Sequence, residues 1–411
     1  MAYVERVSQN SWRVRYTDDN GDLETIPGFR SKTEAEEKAQ EIDVDRRRNT
    51  FINPNAGKLP LGDWSPTWFG SIDVAPTTEA QYTSLINNHI LPRWQSVDLC
   101  DITNLDVRTW AKKLRLSGYS QSTVKSILKI LTMMLADAVD EKLLTSNPIR
   151  PQRRGRRQQV RRKKVVWATP EQVVRIALQA ARLVGPWAAI LIITAAWTGA
   201  RWGELTGLQR PNIHLDTATI VIDPDTGALH ELATSFYLGP PKTADSARTI
   251  TLPPFLIPLL QWLLASHNHP HIFVSAEHQL LRRSNFSRRA MRPAADGNLH
   301  RKNPHVPLQP IRHGLTFHGL RHSHKTWLIA DGLPEVAQSE RLGHHITDEV
   351  RAVYSHVAPE VETRLLQALE QRWTNAINNL LNDTTFTTPA WSAGPATLLL
   401  PPKVDVDRLS A

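Results

Sequence analysis

Four short stretches in the second half of this chain concentrate groups that could act on a charged substrate. "TGARWGEL" carries Arg201 and, one turn later, Glu204; "PPKTADSARTI" carries Lys242 in a loop between two strands. "FHGLRHSH" carries His318 and Arg321, and "RLGHHITDEVRAVYSHV" carries His344 and Tyr354. The sharpest question concerns Tyr354, which is either one more apolar contact or a nucleophile. Its neighbourhood supports packing. Val350, Val353, Tyr354 and Val357 fall at i, i+3, i+4 and i+7, one face of an amphipathic helix, with Thr347, Asp348 and Glu349 to cap and charge its start. The other residues have equally plain explanations. Arg201 and Glu204 suit an i,i+3 surface pair worth roughly a few tenths of a kcal/mol. Lys242 suits an ordinary loop, and His318 with Arg321 a solvated helix face. A zinc site is a further reading, since His318 and His322 are spaced i,i+4, with His324, His344 and His345 close in sequence. The glutamate of an HExxH pattern is missing, because position 319 is glycine, and no metal is expected.

These clusters need a scaffold. From about 166 to 373 the chain reads as mixed. Leu183 to Ala200 is an uncharged run bracketed by Arg182 and Arg201; Gly185, Pro186 and three polar or small residues favour a buried helix over a membrane span. Three β runs are expected, Thr217–Ile222, roughly Glu231–Leu238 and Arg248–Leu252, separated by turn residues. Residues 64–149 read as a separate helical domain. Its clearest helix is "STVKSILKILTMMLADAVDEKLL", with Ser122 or Thr123 at the cap, Leu128, Leu131, Leu135 and Val139 in periodic spacing, and a stop at "SNPI". Residues 1–55 suggest a hairpin through Trp12, Val14 and Tyr16, then a helix started by Thr33 and Glu36, a small β-β-α unit. "FINPNAGKLPLGDWSP" reads as a linker, residues 374–411 as a loose tail, and 292–314 as an insertion without an assigned role.

Charge is concentrated in one place. The formal net charge is +9, and Arg150, Arg153, Arg154, Arg156, Arg157, Arg161, Arg162, Lys163 and Lys164 form an acid-free block that leaves the rest of the chain formally neutral. Such a block cannot pack on itself; between two folded domains it suits a strap along a polyanion, where each phosphate contact releases counterions. The composition, 41% hydrophobic and 22% charged, is that of a soluble multidomain protein. A single cysteine, Cys100, excludes an internal disulfide and suits a reducing compartment. The first residues lack the apolar stretch of a secretory signal.

In order, the Arg of "TGARWGEL", the Lys before "SARTITLP", the His-x-x-Arg of "FHGLRHSH", "ERLGHH" and the tyrosine ten residues beyond His344 resemble the tyrosine recombinases, or phage-type integrases. "NPI" resembles that family's junction between core-binding and catalytic domains, and the first module is similar to its arm-binding domain. The resemblance implies a mainly α multidomain fold with small β-sheets: an N-terminal arm-type DNA-binding module (1–55), a helical core-binding domain (64–149), a basic linker (150–165), a mixed α+β catalytic domain (166–373) and a tail. Two departures stand out. Gly319 replaces a common acidic residue, and the His344–Tyr354 interval is one longer than in many members, which gives His345 a second register; His344 is assigned because it follows Leu342–Gly343.

The implied chemistry is strand cleavage by Tyr354 through a 3′-phosphotyrosine. Arg201 and Arg321 would bind the non-bridging oxygens, His318 would take the phenol proton and Lys242 would protonate the leaving 5′-oxygen. His344 would donate to the phosphate, and Glu204 would orient the arginine helix. No cofactor, metal or ATP enters this scheme. The implied partner is double-stranded DNA at attachment sites, held in a C-shaped clamp closed by the linker, with four protomers on synapsed DNA and, where used, an accessory DNA-bending or directionality factor. The stripe Val361, Leu365, Leu369, Trp373 has its own domain or a neighbouring protomer to dock on, and the neighbour is favoured because synapsis in the family uses four protomers. A bacterial cytoplasmic or nucleoid location and no membrane association follow. A type IB topoisomerase and a non-cutting DNA-binding regulator are the competing readings.

Overall fold

The structure is a computed structural model. It describes residues 2–17, 21–48, 50–53, 55–150, 164–344 and 357–383, and the chain divides into two units, 1–159 and 160–411. Tyr354, His345, the residues around them and the linker cations other than Arg150 and Lys164 lie outside the described residues.

In the first unit, strands β1 (Tyr3–Ser8), β2 (Ser11–Thr17) and β3 (Leu23–Phe29) form an antiparallel sheet in that order, and α1 (Lys32–Arg47) packs on it. The alternation expected in β2 is present: Val14 and Tyr16 are buried against Ala35, Ala39 and Ile42. The unit is therefore β-β-β-α rather than β-β-α. β1 is an edge strand with no buried residue, so it carries no hydrophobic alternation to read. Ser31, not Thr33, caps α1, its hydroxyl accepting from Glu34 N at 3.1 Å.

The helical part begins inside the expected linker, with α2 (Leu61–Ser71), followed by α3 (Pro76–Leu85), α4 (Leu91–Trp94), α5 (Asn104–Leu116) and α6 (Gln121–Asp140). Trp64, Trp68, Trp94 and Trp110 fill its core. Two of these indoles also find acceptors on α6, Trp64 on Met134 O and Trp68 on Asp137 Oδ2, so these two rings are buried with their N–H groups satisfied. Ser120 caps α6, two or three residues before the expected positions, and also meets the Ser122 and Thr123 hydroxyls. The buried stripe centres on Ile127, Leu131, Met134 and Leu135, with Leu128 and Val139 at its edge. α6 ends well before "SNPI", where Lys142 takes a left-handed turn (φ 58°). Asn147 instead pins the exit, its amide donating to Thr132 O at 2.9 Å and its Oδ1 accepting from Ile149 N.

The second unit is built around two consecutive helices, α7 (Pro170–Val184) and α8 (Pro186–Thr198). Gly185–Pro186 splits the uncharged run between them, and no described helix is long and apolar enough to cross a membrane. Every residue of α8 from Ala188 to Thr198 is buried. After α9 (Trp202–Gly207) come β4 (Ile213–His214), β5 (Thr219–Ile222), β6 (Ala228–Glu231), β7 (Phe236–Gly239) and β8 (Arg248–Thr251). The middle β run is thus two strands of a hairpin, β6–β7, while β4-β5-β8 form a separate antiparallel sheet. The hairpin arises because 232–235 turn rather than extend, with Leu232 N donating to Ser235 O.

Helices α10 (Leu256–Ala265), α11 (Arg283–Phe286), α12 (Arg292–Asp296), α13 (Phe317–Ala330), α14 (Glu335–Leu342) and α15 (Pro359–Asn382) complete the described unit. α15 runs nine residues past the expected boundary at 373. Its stripe is buried in its own domain, which corrects the expected docking on a neighbour. Leu365, Leu369, Trp373, Ile377 and Leu380 join the main core, the Trp197 indole donates to Leu369 O at 3.0 Å, and Trp373 stacks on Phe255 at 4.2 Å. Within 292–314, Asn298 closes a loop, its amide donating to Val306 O and its Oδ1 accepting from Leu308 N.

Candidate active site

Two helix ends create the site. α8 stops at Gly199 in a left-handed turn (φ 69°), and Arg201 begins α9 two residues later. A Cβ at Gly199 would lie 2.6 Å from Leu342 Cδ2 and 2.8 Å from His324 Cδ2. Only glycine lets α8 end this close to α13 and α14. α14 ends the same way at Gly343 (φ 61°), where a Cβ would meet Asp245 O at 2.7 Å.

The two arginines grip these ends. Arg201 donates through Nη1 to Glu204 Oε1 (2.7 Å) and Ser246 Oγ (2.8 Å), and through Nη2 to Gly343 O (3.1 Å). Arg321, on the second turn of α13, donates through Nη1 to Gly199 O (2.6 Å) and through Nη2 to Leu342 O (2.5 Å). Burial and the nearby Arg201 bring the Arg321 guanidinium down to about 9, so it stays charged at neutral pH. Neither fork is exhausted. Of its five N–H groups, Arg201 leaves Nε–H and one Nη2–H free of partners among the described residues. That edge suits a tetrahedral anion.

Glu204 is buried. Its Oε2 accepts from Arg201 N at 2.9 Å and from Arg248 Nη2 at 3.0 Å. Burial alone would raise its carboxyl pKa, but Arg248 and Arg201 outweigh that and hold it below the ordinary value. The carboxylate is therefore ionised and fully engaged, an orienting group rather than a proton carrier.

His318 lies in the first turn of α13, capped by Thr316, with its ring 4.8 Å from that of His322. Partial desolvation, His322, Arg321 and Arg201 lower its pKa, so the imidazole is neutral at pH 7 and able to accept a proton. His344 follows Gly343, its backbone N–H held by Ser339 O at 2.9 Å. Desolvation first, then Arg321, Lys325 and Arg201, push its pKa down to about 4. Lys242 is exposed in the segment that crosses from the β6–β7 hairpin to β8, and does not lie at a hairpin tip. Among the described residues no hydrogen bond or ion pair holds its amine. Arg201, Glu204, Arg321 and His344 are thus brought around the ends of α8 and α14, with His318 on the same helix as Arg321. Arg150 and Lys164 are the first and last cations of the linker block.

Three supporting groups sit inside the motif stretches without a role that the stretches themselves assign. Arg248 and Ser246 brace the site from the β8 side. Arg341 is buried and donates through Nε to His324 Nε2 (3.1 Å) and through Nη2 to Trp197 O (3.0 Å), while His324 Nδ1 donates to Ala196 O (2.9 Å). That arrangement fixes His324 as a neutral tautomer, and burial with Arg341 alongside keeps its pKa well below the ordinary value. His324 is a packing histidine. Gly319 has its own reason: a Cβ there would sit 2.9 Å from Leu315 Cδ1 and 3.1 Å from Val166 O, so an acidic side chain has no room. The sequence signals for Arg248 are its place in "SARTITLP" and its position as a charged residue beginning a strand that is otherwise uncharged.

Comparison with known proteins agrees with this architecture. Residues 167–360 match the phage integrase family, and residues 61–115 match the phage integrase N-terminal SAM-like domain. The putative prophage phiRv2 integrase of Mycobacterium tuberculosis is 27% identical over 371 residues, covering 86% of this chain and 91% of the relative. The ICEBs1 integrase of Bacillus subtilis is 27% identical over 318 residues, covering 73% and 79%. The Tn1549 transposon integrase, solved in complex with a circular intermediate DNA, shares the fold with a TM-score of 0.58 at 16% identity, over 76% of this chain and 99% of that one. With both domains matched in order and relatives aligned over most of their length, the chain belongs to the phage integrase family, the tyrosine recombinases that cut and rejoin DNA.

Proposed function

We propose that this chain is the site-specific recombinase of a phage or other mobile element, with Tyr354 as nucleophile, acting on double-stranded DNA at attachment sites. The observation that carries the reading is the pair of guanidiniums, Arg201 and Arg321, fixed by the carbonyls that end α8 and α14. Attack on a phosphodiester builds charge on its non-bridging oxygens, and preorganised forks stabilise that charge by about 3–4 kcal/mol per donor lost or kept.

The Tyr354 oxygen attacks the scissile phosphorus while neutral His318 takes the phenol proton. The bond from phosphorus to the 5′-oxygen breaks, and Lys242 gives that oxygen a proton. A 3′-phosphotyrosine and a free 5′-hydroxyl result. Attack by the partner strand's 5′-hydroxyl reverses the steps and releases Tyr354, with the phosphodiester energy conserved throughout. His344 donates to the phosphate as a neutral imidazole. Two duplexes carry four strands to exchange, which calls for four copies of the chain, one nucleophile each. The nine linker cations follow the DNA backbone.

The test uses DNA flanking the gene, nicked near candidate crossover points, with wild type and Tyr354→Phe. A denaturation-resistant protein–DNA adduct is expected for wild type only. An adduct with both proteins would move the nucleophile elsewhere. Tight binding to a verified site without any adduct would favour a DNA-binding regulator instead.

A further inference from the structure

We propose that Arg248 is a positioning residue for this reaction, fixing Glu204 and, through Glu204, the pose of the Arg201 guanidinium. The proposal rests on the recombinase reading above.

Arg248 opens β8, where its backbone is set by pairing with Ile222 of β5. Its side chain is only 5% exposed, and all three nitrogens are engaged by protein. Nε donates to Arg341 O at 2.7 Å, Nη1 to Ser246 O at 2.6 Å and Nη2 to Glu204 Oε2 at 3.0 Å. A guanidinium so enclosed is not offered to a substrate. Its three contacts instead run parallel to those of Arg201. Both arginines hold the Glu204 carboxylate, one on each oxygen. Both hold Ser246, Arg201 at the hydroxyl and Arg248 at the carbonyl. Both hold the end of α14, Arg201 at Gly343 O and Arg248 at Arg341 O. Arg248 is a buried brace set one step behind the arginine that faces the substrate.

The charge balance explains why the brace matters. Glu204 is a buried carboxylate with two cations to share. If Arg248 were uncharged, Oε2 would keep only the Arg201 backbone N–H, and the buried carboxylate would be left with Arg201 as its one cation among the described residues. The relief available is for the carboxylate to engage Arg201 bidentately, which draws the free Nε–Nη2 edge away from the phosphate. Arg248 prevents this by occupying Oε2.

The experiment is a double-mutant cycle on single-turnover adduct formation with the nicked duplex, using wild type, Arg248→Met, Arg201→Lys and the double variant. DNA affinity and melting temperature are measured for each. Arg248→Met is expected to slow adduct formation about 30-fold or more in the wild-type background. In the Arg201→Lys background it is expected to cost no more than about threefold, because the fork it positions is already gone. DNA affinity should stay within about threefold throughout. A general packing role would slow both backgrounds equally, and that additivity would overturn the proposal, as would an unimpaired Arg248→Met. Should Arg248→Met fail to give a cooperative melt, Arg248→Gln, which also removes the charge and keeps a polar amide in the buried site, is read by the same criterion. A wild type that forms no adduct would instead overturn the recombinase reading itself.

Discussion

Arg321 commits one hydrogen from each terminal nitrogen to a carbonyl, Gly199 O and Leu342 O, before any substrate arrives. A lysine has a single nitrogen and cannot span both while also facing a phosphate. Arg321→Lys is therefore expected to slow adduct formation about 100-fold or more, with DNA affinity within about threefold; an unchanged rate on the nicked duplex would remove Arg321 from the clamp. His318 supplies a pH signature. Its pKa is lowered by desolvation and by cationic neighbours, so the proton-accepting neutral form dominates at pH 7 and is lost only as pH falls through a value below 6.5. The rate should be level from about pH 7 to 8 and fall below about pH 6.5, and His318→Gln should remove that acid limb along with most of the rate. An acid limb centred above 6.5 would contradict the assignment. Residues of this kind were legible in the sequence because their types and spacings carry chemistry. The roles of Arg248 and Arg341 were not, although both lie in the quoted stretches, since an arginine in a strand or helix reads as a solvated charge until burial shows otherwise.

At the scale of elements, what the sequence revealed followed from how much of each element is buried. α8 is buried on all sides, and its uncharged run was unmistakable. β1 has no buried residue and left no pattern. The stripe on α15 was equally visible, yet a stripe does not say which surface it covers, and its partner is the domain's own core around Trp197 and Phe255. That placement has a measurable consequence. Trp373→Ala should cost about 3–5 kcal/mol of stability, the usual penalty for emptying a buried indole site. The melting temperature of the DNA-free wild type should not depend on protein concentration. A melting temperature that rises with concentration, together with a silent Trp373→Ala, would return the stripe to a neighbouring protomer. The helix ends make a second test. Gly343→Ala places a Cβ against Asp245 O on a backbone at positive φ, and should destabilise the domain by about 1–3 kcal/mol in a thermal or urea melt. An unchanged melt would mean that the α14 end lies farther from the Ser246 turn than described.

Across the whole molecule, the charge is concentrated in one segment of the sequence. The two units are recognisable from composition alone, since the acid-free block that carries the entire formal excess of +9 falls between the helical and mixed regions. Electrostatics then sets an expectation that no single contact does. A cation that neutralises a DNA phosphate releases condensed counterions, and each such contact adds about 0.9 to the slope of log affinity against log salt. Replacing Arg153, Arg154, Arg156 and Arg157 with Gln should therefore reduce that slope by roughly 3 to 4 if all four follow the backbone. The loss should be similar on attachment-site and unrelated duplexes, because phosphate contacts position the protein without reading bases. Single-turnover cleavage at saturating enzyme should change far less, since the ends of α8 and α14 and the two arginines they hold are built entirely within the second unit. Affinity titrations at four or five salt concentrations on both duplexes decide the matter. An unchanged slope would make the block a solvated connector, and a loss confined to the attachment site would make it a base-reading segment.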